Sequence, residues 1–355
     1  MKFRKNLYRI KVKLHKALAK KILERLTEEK IYLAKLYYFF LDSSFNREMI
    51  SVLIGKKIHN RRNTNIESNQ AFIRRSIHRI EKGLIIPHSR RDFALDYINK
   101  TCQILFVTYN ELDEKSKKWA LDVLDAYFDI ANMEIKVVSN SKRLYDDFKK
   151  QFVKEKRNKN LSVPFKYDNL KSANIEYTDL LSFVKKRHSI RYFKDLIVDK
   201  HIIENAIKVG LQSPSACNRQ PFEVIVVQDK EKIGRTLNLP MGITTYKHEI
   251  KNIAIVLGDL SYYEDERDRH IIYIDGGLFS MSFVYGLEAQ GIASCIINWP
   301  DIEQKEKDFY KEFKIPQHKR CICFIAFGYA KNEGLVPFSE KKDTLDILSY
   351  NEYTD

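Results

Sequence analysis

Cysteine is scarce in this chain, and its placement suits neither of the structural uses cysteine commonly has. The 355 residues include five (Cys102, Cys217, Cys295, Cys321, Cys323), an odd number with no CxxC spacing. A disulfide framework and a zinc site are therefore not expected, and no metal ligands are assigned. "RCICFIAFGY" sets Cys321 and Cys323 two apart in a buried-strand pattern, which predicts both on one face as small core residues. Long apolar runs are also missing: none approaches the roughly 20 residues of a membrane-spanning helix. The N-terminus has neither the apolar stretch nor the small-residue cleavage site of a secretory signal. A cytoplasmic location is the resulting expectation. Internal repeats are absent, and low complexity is confined to Lys-rich segments.

Acidic residues are in short supply too, but only in the first half. Residues 1–170 hold 37 Lys+Arg against 20 Asp+Glu, a balance of +17; removing these from the chain totals of 62 and 47 leaves 25 against 27, a balance of −2. What the chain does have is core-forming material. At 44% apolar and 12% aromatic, it can fill one large domain or two ordinary ones.

The opening thirty residues place Leu7, Ile10, Leu14, Leu18, Ile22 and Leu26 at three- and four-residue steps with Lys and Arg between them, which predicts a basic amphipathic helix. Such a helix packs its stripe on its own protein, lies on an anionic membrane surface, or touches a polyanion; the first use is the commonest. Nucleic acid is not expected, because the basic region carries no zinc-finger, RNA-recognition or helix-turn-helix signature. Helical patterning continues through "IYLAKLYYFFLDSSF", "QAFIRRSIHRIEKGL" and "KKWALDVLDAYFDIANM". "HRIEKGLIIPHSRRDF" reads as a helix ended by Gly83 with a charged loop after Pro87, or as the wall of a pocket for an acidic group. Residues 148–172, charged and poor in aliphatics, read as a linker between an α-rich region over 1–147 and a second domain over 173–355.

That second domain has a different texture. Helices are predicted with Thr178 and Asp199 as N-caps. Short β-branched strands follow at 222–227, 252–258, 293–298 and 321–329, and a long apolar helix separates the second from the third. Helices on both sides of a mixed sheet would bury them, an α/β or α+β arrangement.

Four stretches of this half stand out. "RHSIRYF" (187–193) supplies two guanidiniums, a hydroxyl and loop N–H groups at a helix end, which suits a phosphate. "SPSACNRQPF" (213–222) is a polar turn whose amides can pair with the edge of a heterocycle. "GIASCIIN" (291–298) brings strand-end amides after the long helix, and "FSEKKDTLDIL" places Lys341 and Lys342 after the last strand. Together with Gly328-Tyr329, and in this order, these stretches resemble the FMN-dependent nitroreductase family over about residues 175–350.

The resemblance implies an α+β fold with a mixed sheet flanked by helices, here preceded by a mostly α-helical N-terminal region. It implies a homodimer with two FMN sites at the interface, NADH or NADPH as hydride donor, and a small organic acceptor such as a nitroaromatic or quinone. Arg187 and Ser189 match positions near the flavin phosphate and ribityl chain, and Arg191 matches the cation near N1 and O2 of the ring. Pro214, Ser215 and Asn218 match a turn that reaches the flavin from the neighbouring subunit, with Gln220 beside them. Ile296, Ile297 and Asn298 match the segment along the ring whose backbone N–H faces N5. Lys341, with Lys342 as neighbour, stands where the family has a phosphate-binding Arg, keeping the charge and losing the planar fork. His188 is a proton donor or a locally bonded ring. No catalytic side chain is required, since flavin N5 carries the hydride and the fixed cation favours its acceptance.

Overall fold

A computed structural model of the chain describes residues 18, 20–22, 31–61, 66–86, 92–153 and 161–352. Of the amphipathic stripe over 7–26, only Leu18 and Ile22 are described, both in helical segments; the rest lies outside the described residues.

The N-terminal half is helical, as its patterning predicts: α1 (Ile31–Leu36), α2 (Asn46–Asn60), α3 (Ile66–Ile85), α4 (Ile98–Thr108), α5 (Glu114–Ile130) and α6 (Lys136–Phe152). Asp113 starts α5 as a side-chain cap, accepting the N–H groups of Lys115 and Ser116. Ile73, Ile77 and Ile80 recur at helical spacing and bury α3 against Leu121, Leu124, Tyr127 and Tyr145. Helix α3 runs past Gly83 to Ile85, two residues beyond the expected stop. The expected linker also begins later than residue 148. Phe148 is buried in the last turns of α6, where it stacks on Tyr145 and Phe152, so aromatic packing carries the helix through residue 152. Residues 154–160 lie outside the described residues; 161–176 are mostly exposed.

The second half holds α7 (Tyr177–Lys186), α8 (Lys200–Gly210), β1 (Phe222–Val227), α9 (Lys230–Thr236), β2 (Asn252–Asp259), α10 (Ile271–Glu288), β3 (Ala293–Asn298), α11 (Glu303–Phe313) and β4 (Lys319–Gly328). Asp199 precedes α8 as predicted, whereas α7 starts after Glu176, two residues before Thr178. The sheet order is β1-β2-β4-β3, and these strands pair antiparallel. The parallel component of the expected mixed sheet is a single bridge, Ser189 to Ser294. One face is covered by α8 and α10, with Phe279, Phe283 and Leu287 over Ala254, Val256 and Phe327; the other packs Ile253, Ile255 and Phe324 against Tyr246, Trp299 and Phe309.

Cys321 and Cys323 do not share a face. The register shifts between Val256 and Leu257, opposite Cys323 and Cys321, so Ile322 is the extra residue of a bulge. One inserted residue reverses side-chain direction, and Cys321 joins one core while Cys323 joins the other.

The helical half grips one end of this sheet. On α2, Gly55 lies against Leu260, His59 Nδ1 is 2.8 Å from the Ser261 carbonyl, and Arg47 pairs with Asp301 at 2.5 Å. Arg75 on α3 pairs with Glu264 at 3.0 Å. Among the described residues, no helix is long and apolar enough to cross a membrane.

Candidate functional site

"RHSIRYF" is fixed by backbone hydrogen bonds to strand ends. Helix α7 stops at Lys186 because Arg187 turns extended. The chain then runs beside β3 and β4: Ile190 N–H donates to Ser294 O at 3.0 Å, and Lys194 N–H to Tyr329 O at 2.8 Å. Phe193 is buried against Gly328, where a Cβ would lie 3.2 Å from its ring. The Gly-Tyr that ends β4 thus gives Phe193 its space. Gly291, in the left-handed region at φ +75°, turns the chain from α10 into β3, with Ile292 N–H returning to Leu287 O at 3.0 Å.

Among the described residues, the half-buried Arg187 guanidinium makes no hydrogen bond or ion pair. Arg191 donates Nη1–H to Ser189 O at 3.3 Å and lies 5.8 Å from the Tyr246 ring centre. Burial pushes the Tyr246 hydroxyl up to about 12, the Cys295 thiol adds to the shift, and Arg191 opposes it. Tyr246 therefore stays protonated beside that cation. His188 Nδ1 is 3.1 Å from Lys186 O, a local contact.

Strand β3 is a sheet edge. Because Ser294 O faces outward to Ile190, two-residue alternation turns the backbone of Ile296 and Asn298 to the same free edge. Ile296 and Asn298 are exposed there, while Ile297 is buried toward the core. Along this edge, then, Ser189 is bridged at Ser294, and the apolar Ile296 side chain and the outward backbone of Ile296 and Asn298 follow at two-residue steps.

The turn at 213–221 is built differently. Cys217, Asn218 and Gln220 all have positive φ, near +54°, +51° and +53°. Non-glycine residues there cost roughly 1–2 kcal/mol each, so the conformation needs several supports. Asp275 on α10 accepts the Ala216 N–H at 3.1 Å, and Ser215 Oγ accepts the Gln220 N–H at 3.1 Å. Gln220 Nε2 donates to Asn218 Oδ1 at 2.8 Å, and the buried Arg219 lies over the Tyr263 ring. Burial raises the Asp275 carboxyl, while the Ala216 N–H and the Tyr263 hydroxyl pull it back. Pro214 is exposed, and Ser215, Asn218 and Gln220 are half-buried.

Within one chain these two sets do not meet. The turn sits on α10 at Asp275, whereas Lys186, next to Arg187, pairs with Glu288 at 3.2 Å. Those anchors are separated by about 20 Å of helix at ~1.5 Å per residue. Lys341 and Lys342 join neither set: both are exposed, and Lys341 Nζ bonds its own neighbour, Ser339 O, at 2.7 Å. Sequence patterns carry little signal for Tyr246 or Asp275, whose roles arise from contacts across the fold. Asp275, the one charge in the apolar run over 271–287, is the nearest to a clue. No group of His, Cys, Asp or Glu that could hold a metal occurs among the described residues.

Residues 184–256 and 249–329 match the profile described as the nitroreductase family. A Methanothermobacter thermautotrophicus protein, provisionally named NADH dehydrogenase/NAD(P)H nitroreductase, is 23% identical over 163 residues, which are 46% of this chain and 83% of the relative. A provisionally named NAD(P)H nitroreductase of Streptococcus pyogenes is 26% identical over 150 residues, covering 33% and 74%. Solved structures with a similar region include an FMN-dependent nitroreductase of Clostridium difficile (TM-score 0.42, 23% identity, 49% of this chain and 99% of that one). A nitroreductase family protein of Streptococcus pneumoniae is also similar (TM-score 0.42, 24% identity, 48% and 99%). What this chain shares with the nitroreductase family profile is its sheet-bearing region, over residues 184–329.

Proposed function

We propose that the protein is an FMN-dependent oxidoreductase that takes hydride from NADH or NADPH and passes electrons to a small organic acceptor. The domain over 173–355 would work as a homodimer, joined by the segment around 153–172 to the helical region. One observation carries the reading: an unpaired Arg187 guanidinium and Ser189 lie beside a strand edge that presents Ile296 and two free N–H groups. That set fits a flavin, whose phosphate needs a cation, whose ring needs an apolar wall and whose N5 needs a backbone donor.

When bound, FMN supplies the hydride-accepting N5. Arg187 and Ser189 would hold the phosphate and ribityl chain. Arg191, which contacts Tyr246 and the Ser189 carbonyl, would supply the cation for the ring's N1–O2 edge, where reduction accumulates negative charge. Ile296 would supply an apolar wall for the ring. Pro214, Ser215, Asn218 and Gln220 come from the second copy, because within one chain they are tied to the other end of α10. Exposed apolar residues support the dimer: Ile274 and Leu278 on α10, and Leu335, Phe338 and Leu345 on the C-terminal segment. Lys341 and Lys342 lie on that segment, so their phosphate contact would be made on the partner.

The test is a flavin spectrum of the purified full chain with anaerobic NADH and NADPH titration. The reading expects tight FMN uptake and bleaching by at least one nicotinamide. Protein that takes up no FMN would end it.

A second reading makes the protein a flavin-binding scaffold with weak turnover, held at an anionic membrane. It is favoured by a groove of about 930 Å³ whose lining includes Ile31, Tyr38, Phe39, Met49 and Leu53. Phe39 is 81% exposed, and residues 1–30 hold 11 Lys+Arg against 3 Asp+Glu. Sedimentation with phosphatidylserine vesicles, lost in Phe39→Glu, together with negligible turnover would support it. Rapid turnover without vesicle binding would remove it.

A further inference from the structure

The turn at 213–221 has a support that does not come from the nitroreductase-like half. Arg74, on α3 of the helical half, donates its Nε–H to the Asn218 carbonyl at 3.1 Å, across 144 residues of sequence. Its guanidinium is held from the other side as well: Nη1–H donates to Ser116 Oγ at 3.3 Å, and the Trp119 ring lies 5.5 Å from the guanidinium carbon. Ser116 is itself fixed by the α5 cap residue Asp113, whose carboxylate accepts its hydroxyl at 2.7 Å. Desolvation lowers the Arg74 pKa, with Tyr262 and Asp113 opposing. A guanidinium keeps its charge under such a shift, so the bond to Asn218 stays charge-assisted.

From these contacts we infer that Arg74 is a positioning residue of the flavin site, and that the helical half is a working part of that site. The reasoning rests on the flavin reading of the turn. Asn218 sits at φ +51°, between Cys217 and a third left-handed residue at 220. In that conformation its carbonyl points away from the sheet toward α3, where Arg74 receives it. The supports from Asp275, Ser215, Gln220 and Arg219 all lie within the sheet-bearing half. Arg74 alone among the described supports ties the turn to the other half. Losing it leaves the Asn218 carbonyl without a donor and lets the peptide relax toward an ordinary φ. Ser215, Asn218 and Gln220 would then no longer present a fixed set to the flavin of the partner copy.

The experiment compares full-length wild type, Arg74→Met and Arg74→Lys. Met keeps an unbranched apolar stem without the charge or a donor. Lys restores one charged donor without the planar fork. FMN affinity of the refolded apoprotein should fall about tenfold in the Met protein and about threefold in the Lys protein, the scale of one charge-assisted hydrogen bond. Acceptor KM should rise while kcat for nicotinamide reduction stays within about twofold, because Arg191 and Ile296 are untouched. Amide exchange over 216–220 should quicken in both variants. FMN affinity, acceptor KM and exchange all unchanged in a folded variant would overturn the inference. If Arg74→Met does not fold, Arg74→Lys decides by the same readouts. Wild type that binds no FMN would instead sink the flavin reading, and exchange over 216–220 would still report whether Arg74 holds the turn.

Discussion

The two ends of the sheet solve the problem of placing polar groups in opposite ways. At the β3 edge, backbone pairing does the placing: Ser189, Ile190, Phe193 and Lys194 are aligned by strand ends, and Arg187 is left without a partner. At the far end a strained turn does it, with three left-handed residues held by side chains from α10, from the turn itself and from α3. A strand edge is rigid without help, whereas a left-handed turn keeps its shape only while its surroundings over-determine it. The first end can therefore stand within the sheet-bearing region, and the second draws on the helical half. On the flavin reading, each end is one part of a site that two copies would complete.

The largest expected effect concerns the joint between the halves. Glu306 is fully buried, accepts a hydrogen bond from Trp299 Nε1, and lies 3.8 Å from Arg47 of α2. Glu306→Ala should destabilise by about 3 kcal/mol, because Trp299 Nε1 is left without its buried acceptor while Arg47 keeps only Asp301 and Glu303 as counter-charges. If the halves form one cooperative unit, a single thermal transition should move as a whole. Two separated transitions, with only one displaced, would divide the comparison into independent domains.

Next come the two arginines of the β3 end. Arg191→Ala should slow reduction by nicotinamide about a hundredfold with FMN retained, because its charge acts as the ring gains electrons. Arg187→Ala should instead weaken FMN binding by about ten- to a hundredfold, the loss of charged bonds to a phosphate. Stopped-flow reduction and FMN titration separate them. Equal loss of FMN in both, with normal kinetics in the bound fraction, would make the motif a simple phosphate clamp.

The smallest effect is at Tyr246. Its folded pKa of about 12 lies above the ordinary 10, so the folded state keeps this proton longer than the unfolded chain. That contribution to stability is intact below pH ~10 and is lost as pH rises through ~12. Tyr246→Phe should cost about 1 kcal/mol at neutral pH and flatten the alkaline limb of melting temperature against pH. An unchanged limb would show that Tyr246 is not protected by its neighbours.

Much of the β3 end was legible in the sequence, because local chemistry makes it. The strands at 222–227 and 293–298 follow from β-branched runs, and Arg187 to Phe193 lie in a contiguous motif next to one of their partners in the sheet. At the other end the residues' own chemistry showed only a polar turn, and its reach toward a flavin came from the family resemblance. Its left-handed residues are Cys, Asn and Gln rather than Gly, so no residue type announced them, and their supports come from residues 59 and 144 positions away. Non-local pairing also hid the bulge that separates Cys321 from Cys323, since a strand's own pattern does not show where its neighbour slips register. Residue 148 was read as linker because charge dominates its surroundings, while the packing of Phe148 on Tyr145 is visible only in three dimensions.

The central claim is that each site takes its β3 edge from one copy and its turn from another. Co-expression of Arg187→Ala protein with a turn variant, Ser215→Ala/Asn218→Ala, tests it most directly. Each variant alone should bind little FMN. Random pairing makes about half the dimers mixed, and in each of these one of the two sites joins an intact edge to an intact turn, so about a quarter of the wild-type FMN content and nicotinamide-dependent bleaching should return in the whole preparation. No recovery in verified heterodimers would contradict a shared site and return both motifs to separate roles within one chain.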